Sequence, residues 1–268
     1  MNTPIRAARA VAAPVELLAA DEPAAVSVLS GGGATDFVFA CDHAGAAIPR
    51  SLGGLGLSDS VLGSHVACDI GIAETARLLA DKLDAALVMQ HYSRLVIDCG
   101  RAQGTGESII RRAEWVPIAS NESLEPEQLQ ARNGEVFDPY HAALDQLLSQ
   151  RERSHRGTLL VSLFSFPFSY RNAERPWHIA VAYARNTPLP KALLTLLQRD
   201  KRLQVADNEA RALSEHGAFT RERHGEARGL QNLALGIRQD LIADEAGQKN
   251  WSGRLTSLLK EAARMAAA

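Results

Sequence analysis

Two polar residues, Asp42 and His43, directly follow the apolar run 37–41. Buried strands of parallel sheets have this character, and open α/β sheets bind their ligands beyond the carboxyl ends of the strands. A histidine in that position is suited to hold a metal ion or to move a proton. It is equally suited to end the strand with a hydrogen bond, so the residues alone leave both interpretations of His43 open.

Four further charged residues have types and spacings that suit either a hydrolytic site or a structural network. Asp69 precedes the helical pattern of residues 72–83, and we expect it to be the N-cap of that helix. Arg94 and Asp98 flank a short apolar run, and Arg101 follows three residues later. A guanidinium binds carboxylates at two points, but an Arg–Asp pair at a strand end also serves to hold a loop. Both interpretations of the Arg94–Asp98 pair stay open.

Strand and helix patterns alternate along the chain and must position these side chains. Strand patterns occur at 26–29, 37–41, 86–89, 95–97, 158–163, 178–183, 203–206 and 230–237, and helical patterns at 72–83, 127–151, 193–199 and 247–266. This alternation, without an internal repeat, predicts an α/β fold: a single three-layer α/β/α domain with a mixed, largely parallel sheet. We expect residues 1–25 to form a loosely ordered N-terminal arm before a domain of residues 26–268.

The composition argues against several classes of function. The chain has 268 residues, 46% of them hydrophobic and 22% charged, which is enough for a full core. A net charge of −2 gives no reason to expect nucleic acid or an anionic membrane as a partner. No apolar run approaches the ~20 residues that span a bilayer. Cys41, Cys68 and Cys99 are odd in number and lack C-x-x-C spacing, which favours a reducing cytoplasm as the location.

Eight short blocks, in order between about residues 37 and 251, carry a family resemblance. They are Asp42–Gly45, His65-x-x-x-Asp69, Tyr92–Asp98, Pro139–His141, Arg175–Ile179, Asp207–Glu209, His224–Leu230 and Ile237–Ile242. With these blocks the chain resembles the N-formylglutamate amidohydrolase family. The resemblance implies a zinc-peptidase-like, phosphorylase/hydrolase-like α/β/α fold. It also implies metal-assisted hydrolysis of a formamide that releases formate and glutamate.

The resemblance assigns metal-binding roles to the first blocks. Amide hydrolysis of this kind uses a bound metal ion to activate water, with a carboxylate to move the proton. His43 is implied as a zinc ligand. Asp42 or Asp69 is implied as a second ligand, or as a group that orients His43.

The resemblance also assigns substrate-binding roles, for a small acidic amino-acid derivative. Arg94 and Arg101 are implied to hold the substrate carboxylates, with Asp98 fixing Arg94. His178 and His224 are candidates for the pocket wall, although His178 is alternatively a packed core residue.

Three residues depart from the family pattern at chemically important positions. Phe164 stands where a histidine ligand is expected, Gly236 where the carboxylate base is expected, and Gly100 where an amide would bind a substrate carboxylate. Because phenylalanine cannot coordinate zinc, we expect weak or absent zinc binding and impaired hydrolysis of N-formyl or N-acyl amino acids. Two alternatives stay open: a catalytically silent paralogue that binds an acidic small molecule, and a non-catalytic protein that contacts other proteins.

Overall fold

The strands and helices follow each other much as the sequence patterns predict. A computed structural model describes residues 16–31, 35–185, 187–209 and 218–267. Its strands are β1 (Val26–Leu29), β2 (Phe37–Cys41), β3 (Ala86–Gln90), β4 (Arg112–Ala113), β5 (Val116–Pro117), β6 (Leu159–Phe166), β7 (Ser169–Tyr170), β8 (Ala173–Glu174), β9 (Ile179–Ala182), β10 (Val205–Asp207) and β11 (Gln231–Arg238). Its α-helices are α1 (Asp59–Leu62), α2 (Ile72–Leu83), α3 (Pro126–Arg132), α4 (Asp138–Arg153), α5 (Pro188–Leu197) and α6 (Glu245–Ala267).

Seven strands form one mixed sheet in the order β1-β3-β2-β6-β11-β9-β10. The pairs β2–β3, β2–β6, β6–β11 and β9–β10 are parallel, and the pairs β1–β3 and β9–β11 are antiparallel. The remaining strands form two small separate hairpins, β4–β5 and β7–β8. The predicted mixed, largely parallel sheet is therefore confirmed.

Helices cover both faces of the sheet, because alternate strand residues bury apolar side chains on opposite sides. Phe39 belongs to a cluster that contains Leu79 of α2, Leu193 of α5 and Leu255 of α6. Its neighbour Val38 belongs to a second cluster that includes α4. The single α/β domain with three layers is confirmed. Among the described residues, no helix is both long enough and apolar enough to cross a bilayer.

The predicted strand at 95–97 is wrong. Residues 94–96 form a turn, in which the N–H of Val96 donates to the Ser93 carbonyl at 2.9 Å. The N–H of Leu95 donates to the Ser93 hydroxyl at 3.1 Å. Leu95, Val96 and Ile97 are apolar and buried in the core, and a short apolar run cannot distinguish a buried turn from a buried strand.

The predicted interruption of the long helix 127–151 occurs just before Pro139. A π-helical turn, Asn133–Phe137, separates α3 from α4 there. Proline has no N–H to donate to the preceding turn, which accounts for the irregular hydrogen bonding at this point.

The predicted N-terminal arm, 1–25, is only partly described, since residues 1–15 lie outside the described residues. From residue 16 onward the segment packs on the domain. Leu17 and Ala25 are buried, and the N–H groups of Leu17 and Leu18 donate to the Glu135 carboxylate at 2.9 and 2.8 Å.

The prediction that Asp69 caps α2 is wrong. The N-cap is Gly71, which has a left-handed φ of 76° and no side-chain capping bond. A Cβ atom at Gly71 would lie 2.0 Å from the carbonyl oxygen of Ile242, the residue that follows the 3₁₀ turn Gln239–Leu241. Glycine therefore allows the start of α2 to approach this backbone closely.

We predict that Gly71→Ala lowers the free energy of unfolding by about 2–5 kcal/mol, from left-handed strain together with steric overlap. Gly104→Ala is the matched control, because Gly104 has φ 74° and open space around its Cβ position. Strain alone should cost the control about 1–2 kcal/mol. Equal losses in urea denaturation would contradict the close approach to Ile242.

Candidate functional site

Four of the predicted site residues form one buried cluster beyond the carboxyl edge of the sheet. Nε2 of His43 donates to Oδ1 of Asp98 at 2.7 Å. Nδ1 of the same ring lies 3.7 Å from Oδ1 of Asp69. Arg94 forms a buried ion pair with that Asp69 carboxylate. The imidazole of His43 is therefore held between the carboxylates of Asp98 and Asp69, and the Asp69 carboxylate also forms an ion pair with Arg94.

Asp98 holds His43, whereas the family resemblance implied that it fixes Arg94. The structure pairs Arg94 with Asp69 instead. Burial by itself raises the pKa of Asp98, but the hydrogen-bonded His43 ring, with Arg94 and Arg101 nearby, outweighs it and lowers this pKa. Asp98 is therefore an ionised carboxylate at neutral pH.

Asp69 ties two elements of the fold together. Its Oδ2 accepts the N–H of Ser165 in β6 at 3.0 Å, and the Ser165 hydroxyl donates to the Ile70 carbonyl at 2.9 Å. Asp69 thus joins the end of β6 and the segment before α2 to the Arg94 guanidinium. Its carboxylate has structural partners on both oxygens.

Asp42 makes hydrogen bonds away from this cluster. Its Oδ1 accepts the Tyr140 hydroxyl, and it accepts the Thr220 hydroxyl at 2.8 Å. Burial raises the pKa of Asp42 and outweighs the opposite effects of His43 and of the two hydroxyl groups. Asp42 therefore anchors the helix and the segment that carry these hydroxyl groups.

A buried pair of histidines lies beside the cluster. Nε2 of His141 donates to the Cys99 carbonyl at 3.0 Å, and its Nδ1 faces Nε2 of His224 at 2.8 Å. Nδ1 of His224 lies 3.1 Å from Oδ1 of Asp145, within ion-pair distance but poorly aligned for a hydrogen bond. Burial lowers the pKa of His141 to about 3 and that of His224 to about 4, and nearby positive charge adds to the effect.

A cavity of about 250 Å³ opens beside the His43 cluster and has an arginine-rich wall. Arg94, Asp98 and Arg101, all predicted as substrate-binding residues, line it. Two arginines that were not among the predicted site residues, Arg112 and Arg171, line it as well. The small hairpins β4–β5 and β7–β8 supply these two residues.

The two histidines predicted for the pocket wall lie outside the described lining of this cavity. Nδ1 of His178 accepts the N–H of Gln204 at 2.9 Å, and the N–H of His178 donates to the Gln204 carbonyl at 2.8 Å. His178 therefore joins β9 to the segment before β10. His224 belongs to the buried histidine pair.

The donor set does not fit a zinc ion. Among the residues that the structure describes, no three His, Cys, Asp or Glu side chains converge on a point where a metal could bind. Phe164 and Gly236 are direct partners in the parallel pair β6–β11. A Cβ atom at Gly236 would lie 2.3 Å from Cε2 and Cζ of Phe164. The phenyl ring thus occupies the space that an acidic side chain at position 236 would need.

Gly100, the third departure from the family pattern, contributes backbone groups only. Its N–H donates to Oδ1 of Asp98 at 2.8 Å, and its carbonyl accepts the N–H of Phe219 at 3.1 Å. The segment that carries Asp98 and Arg101 is fixed in this way.

Arg112 and Arg171 were not predicted, because both lie outside the family blocks. Arg112 is in a strand of only two residues, and Arg171 is in the turn between two such strands. Arg171 and Asn172 both have positive φ, of 48° and 64°, and form the turn of β7–β8. Asparagine at such a position is a hairpin signal that could have identified this turn. We find no comparable signal for Arg112.

We predict that Asp69→Ala costs about 3–5 kcal/mol of unfolding free energy, because it removes the buried partner of the Arg94 charge. Loss of a helix cap alone would cost about 0.5–2 kcal/mol. Asp59→Ala, at an exposed acidic residue of α1, is the control and should change little. If chemical denaturation shows a loss of only about 0.5–2 kcal/mol, the value for a helix cap, the role of Asp69 as the buried partner of Arg94 would be contradicted.

We predict that Gly236→Ala costs about 1–3 kcal/mol, because the added methyl group meets the Phe164 ring. Phe164→Leu removes the atoms in question, so the double variant should lose about 0.5–3 kcal/mol less than the sum of the single losses. Urea denaturation of the four proteins measures this coupling. Additive losses would show that the ring and the glycine do not constrain each other.

Comparison with known proteins places these features in a family. The family model for N-formylglutamate amidohydrolase matches residues 35–243. The gene product Atu2144 from Agrobacterium tumefaciens is 31% identical, with a TM-score of 0.88 over 93% of this chain and 98% of that one. No curated protein matches the sequence significantly.

A second solved structure shows the same fold at lower identity. The N-formylglutamate amidohydrolase from Ralstonia eutropha JMP134 is 20% identical, with a TM-score of 0.67 over 91% of this chain and 98% of that one. The family model spans most of the chain, and Atu2144 is similar over nearly all of it. The chain therefore belongs to the N-formylglutamate amidohydrolase family.

Proposed function

We propose that this member of the hydrolase family binds a small acidic amino-acid derivative in the arginine-lined cavity. We also propose that it hydrolyses N-formyl or N-acyl amino acids weakly or not at all. The observation that supports binding is the cavity wall, where four guanidinium groups surround a space of about 250 Å³. Guanidinium groups match carboxylates in geometry and charge, so such a wall selects anionic ligands.

Asp98 gives the cavity a second type of group. It is an ionised carboxylate on the wall, and His43 behind it fixes its orientation. A carboxylate in that state accepts hydrogen bonds only, so it suits an amide or amine N–H of the ligand. An N-acyl amino acid has both features that this wall recognises, an N–H donor and a carboxylate.

Impaired hydrolysis is supported by the pair Phe164 and Gly236. One position lacks the expected ligand and the other lacks the expected base, and the phenyl ring fills the space between them. Amide hydrolysis at neutral pH needs an activated water and a proton carrier, and losing the general base alone costs roughly 10²–10⁴ in rate. We therefore propose weak or absent zinc binding at His43.

Hydrolysis that needs no zinc, as a function in addition to ligand binding, is the second candidate function, and the His43–Asp98 hydrogen bond beside the cavity favours it. A histidine–carboxylate pair can take and return a proton without further groups. For either candidate we propose the cytoplasm as the location, since Cys41, Cys68 and Cys99 are all free thiols.

We predict that N-formyl-L-glutamate binds saturably in isothermal titration calorimetry, because the arginines pair with its carboxylates. Its dimethyl ester, which has no ionised carboxylate, is the matched control ligand and should not bind. Elemental analysis after dialysis should find well below one zinc ion per chain. A formate-release assay should show little or no turnover.

Other outcomes distinguish the alternatives. One zinc ion per chain together with rapid formate release would show an active metallohydrolase and contradict the proposal of impairment. Slow formate release without zinc would support the second candidate. No binding and no turnover would contradict both candidates and leave a non-catalytic protein that contacts other proteins.

A further inference from the structure

We propose that Arg112 and Arg171, rather than Arg94 and Arg101, bind the carboxylate of the ligand. The inference rests on the proposed function, because it assigns the anion-binding residues of the same cavity. Its basis is the ion pairing within the cavity wall, where two of the four arginines already hold protein carboxylates.

Arg94 and Arg101 are engaged within the protein. Arg94 pairs with Asp69, and both side chains are almost completely buried. Arg101 pairs with Glu107, and its Nε lies 3.7 Å from Oδ2 of Asp98. A ligand carboxylate at these arginines would have to displace a protein carboxylate or share its guanidinium. Separating the buried Arg94–Asp69 pair would leave a buried charge uncompensated, which is costly. Glu107 is exposed, so a ligand at Arg101 would compete with a weaker ion pair.

Arg112 and Arg171 have different surroundings. Across the described part of the chain, no carboxylate lies within ion-pair distance of either guanidinium. Arg112 donates to the Trp115 carbonyl at 3.2 Å, and Arg171 lies 5.1 Å from the centre of the Tyr170 ring. Both arginines are exposed where they line the cavity, so a ligand can reach them without breaking an ion pair.

The carboxylates of the cavity wall do not compete for these two arginines. Asp98 accepts from His43, and Glu107 pairs with Arg101. Glu114 lies 3.2 Å from Nε2 of His65. Every described acidic residue of the lining thus has another partner, and the two hairpin arginines remain for a ligand.

The hairpins hold these arginines in defined places. Arg171 and Asn172, the two left-handed residues of the β7–β8 turn, fix the backbone there. The guanidinium of Arg175 also packs on the Tyr170 ring, with its Cζ 4.6 Å from the ring centre. On β4–β5, Glu114 is left-handed as well, with φ 52°. Short hairpins of this kind fix the backbone positions of the residues that they carry, so little backbone ordering is needed on binding.

The test is a pair of double variants with equal change in charge. Arg112→Gln with Arg171→Gln removes the proposed pair, and Arg111→Gln with Arg199→Gln is the control. Both control residues are exposed and lie outside the cavity lining. All four positions are at the surface, so both variants should fold, and thermal melting checks this.

Calorimetry with N-formyl-L-glutamate as the probe decides the inference. The hairpin variant should bind about 10- to 100-fold more weakly, as expected for lost hydrogen bonds to a charged group. The control should stay within about twofold of the natural protein. Unchanged affinity in the hairpin variant would overturn this inference and leave the proposed function standing. No binding by the natural protein would instead overturn the proposed function, and this inference with it.

Discussion

The structure depends on a cluster of ionisable side chains buried beyond the sheet. A buried charge is tolerated only with a partner, and His43, Asp69, Arg94 and Asp98 supply partners to one another. Each of the four comes from a different strand end, loop or turn. Satisfying one another therefore fixes several segments at once, and the cavity wall inherits its shape from that requirement.

Phe164 and Gly236 also pack closely against each other. A glycine in a central strand leaves a gap, and an aromatic ring on the neighbouring strand fills it in the pair Gly236 and Phe164. Restoring either expected side chain alone would disturb this fit. Phe164 and Gly236 thus form one structural unit, and neither belongs to the lining of the arginine-rich cavity.

The sequence predicted the central strands well, because β2 and β6 are buried on both faces and read as continuous apolar runs. It failed at 95–97, where burial comes from a turn. It selected Asp69 but assigned it the role of a helix cap instead of the ion pair with Arg94. An aspartate before a helix is typical of a cap, and the sequence does not show which way its carboxylate points. Arg112 and Arg171 were not predicted, because they belong to short hairpins whose two-residue strands show no periodicity.

The two buried imidazoles of His141 and His224 make three polar contacts but have few hydrogen atoms to share among them. The Cys99 carbonyl at one end only accepts, and so does Asp145 at the other, whose pKa arginines lower against the effect of burial. A hydrogen bond at either end would need an N–H from a histidine ring, and the hydrogen bond between the rings needs a third N–H. Two neutral imidazoles have only two, and burial keeps both neutral. With His141 donating to Cys99 and His224 donating to His141, Nδ1 of His224 therefore has no hydrogen to offer Asp145 at neutral pH.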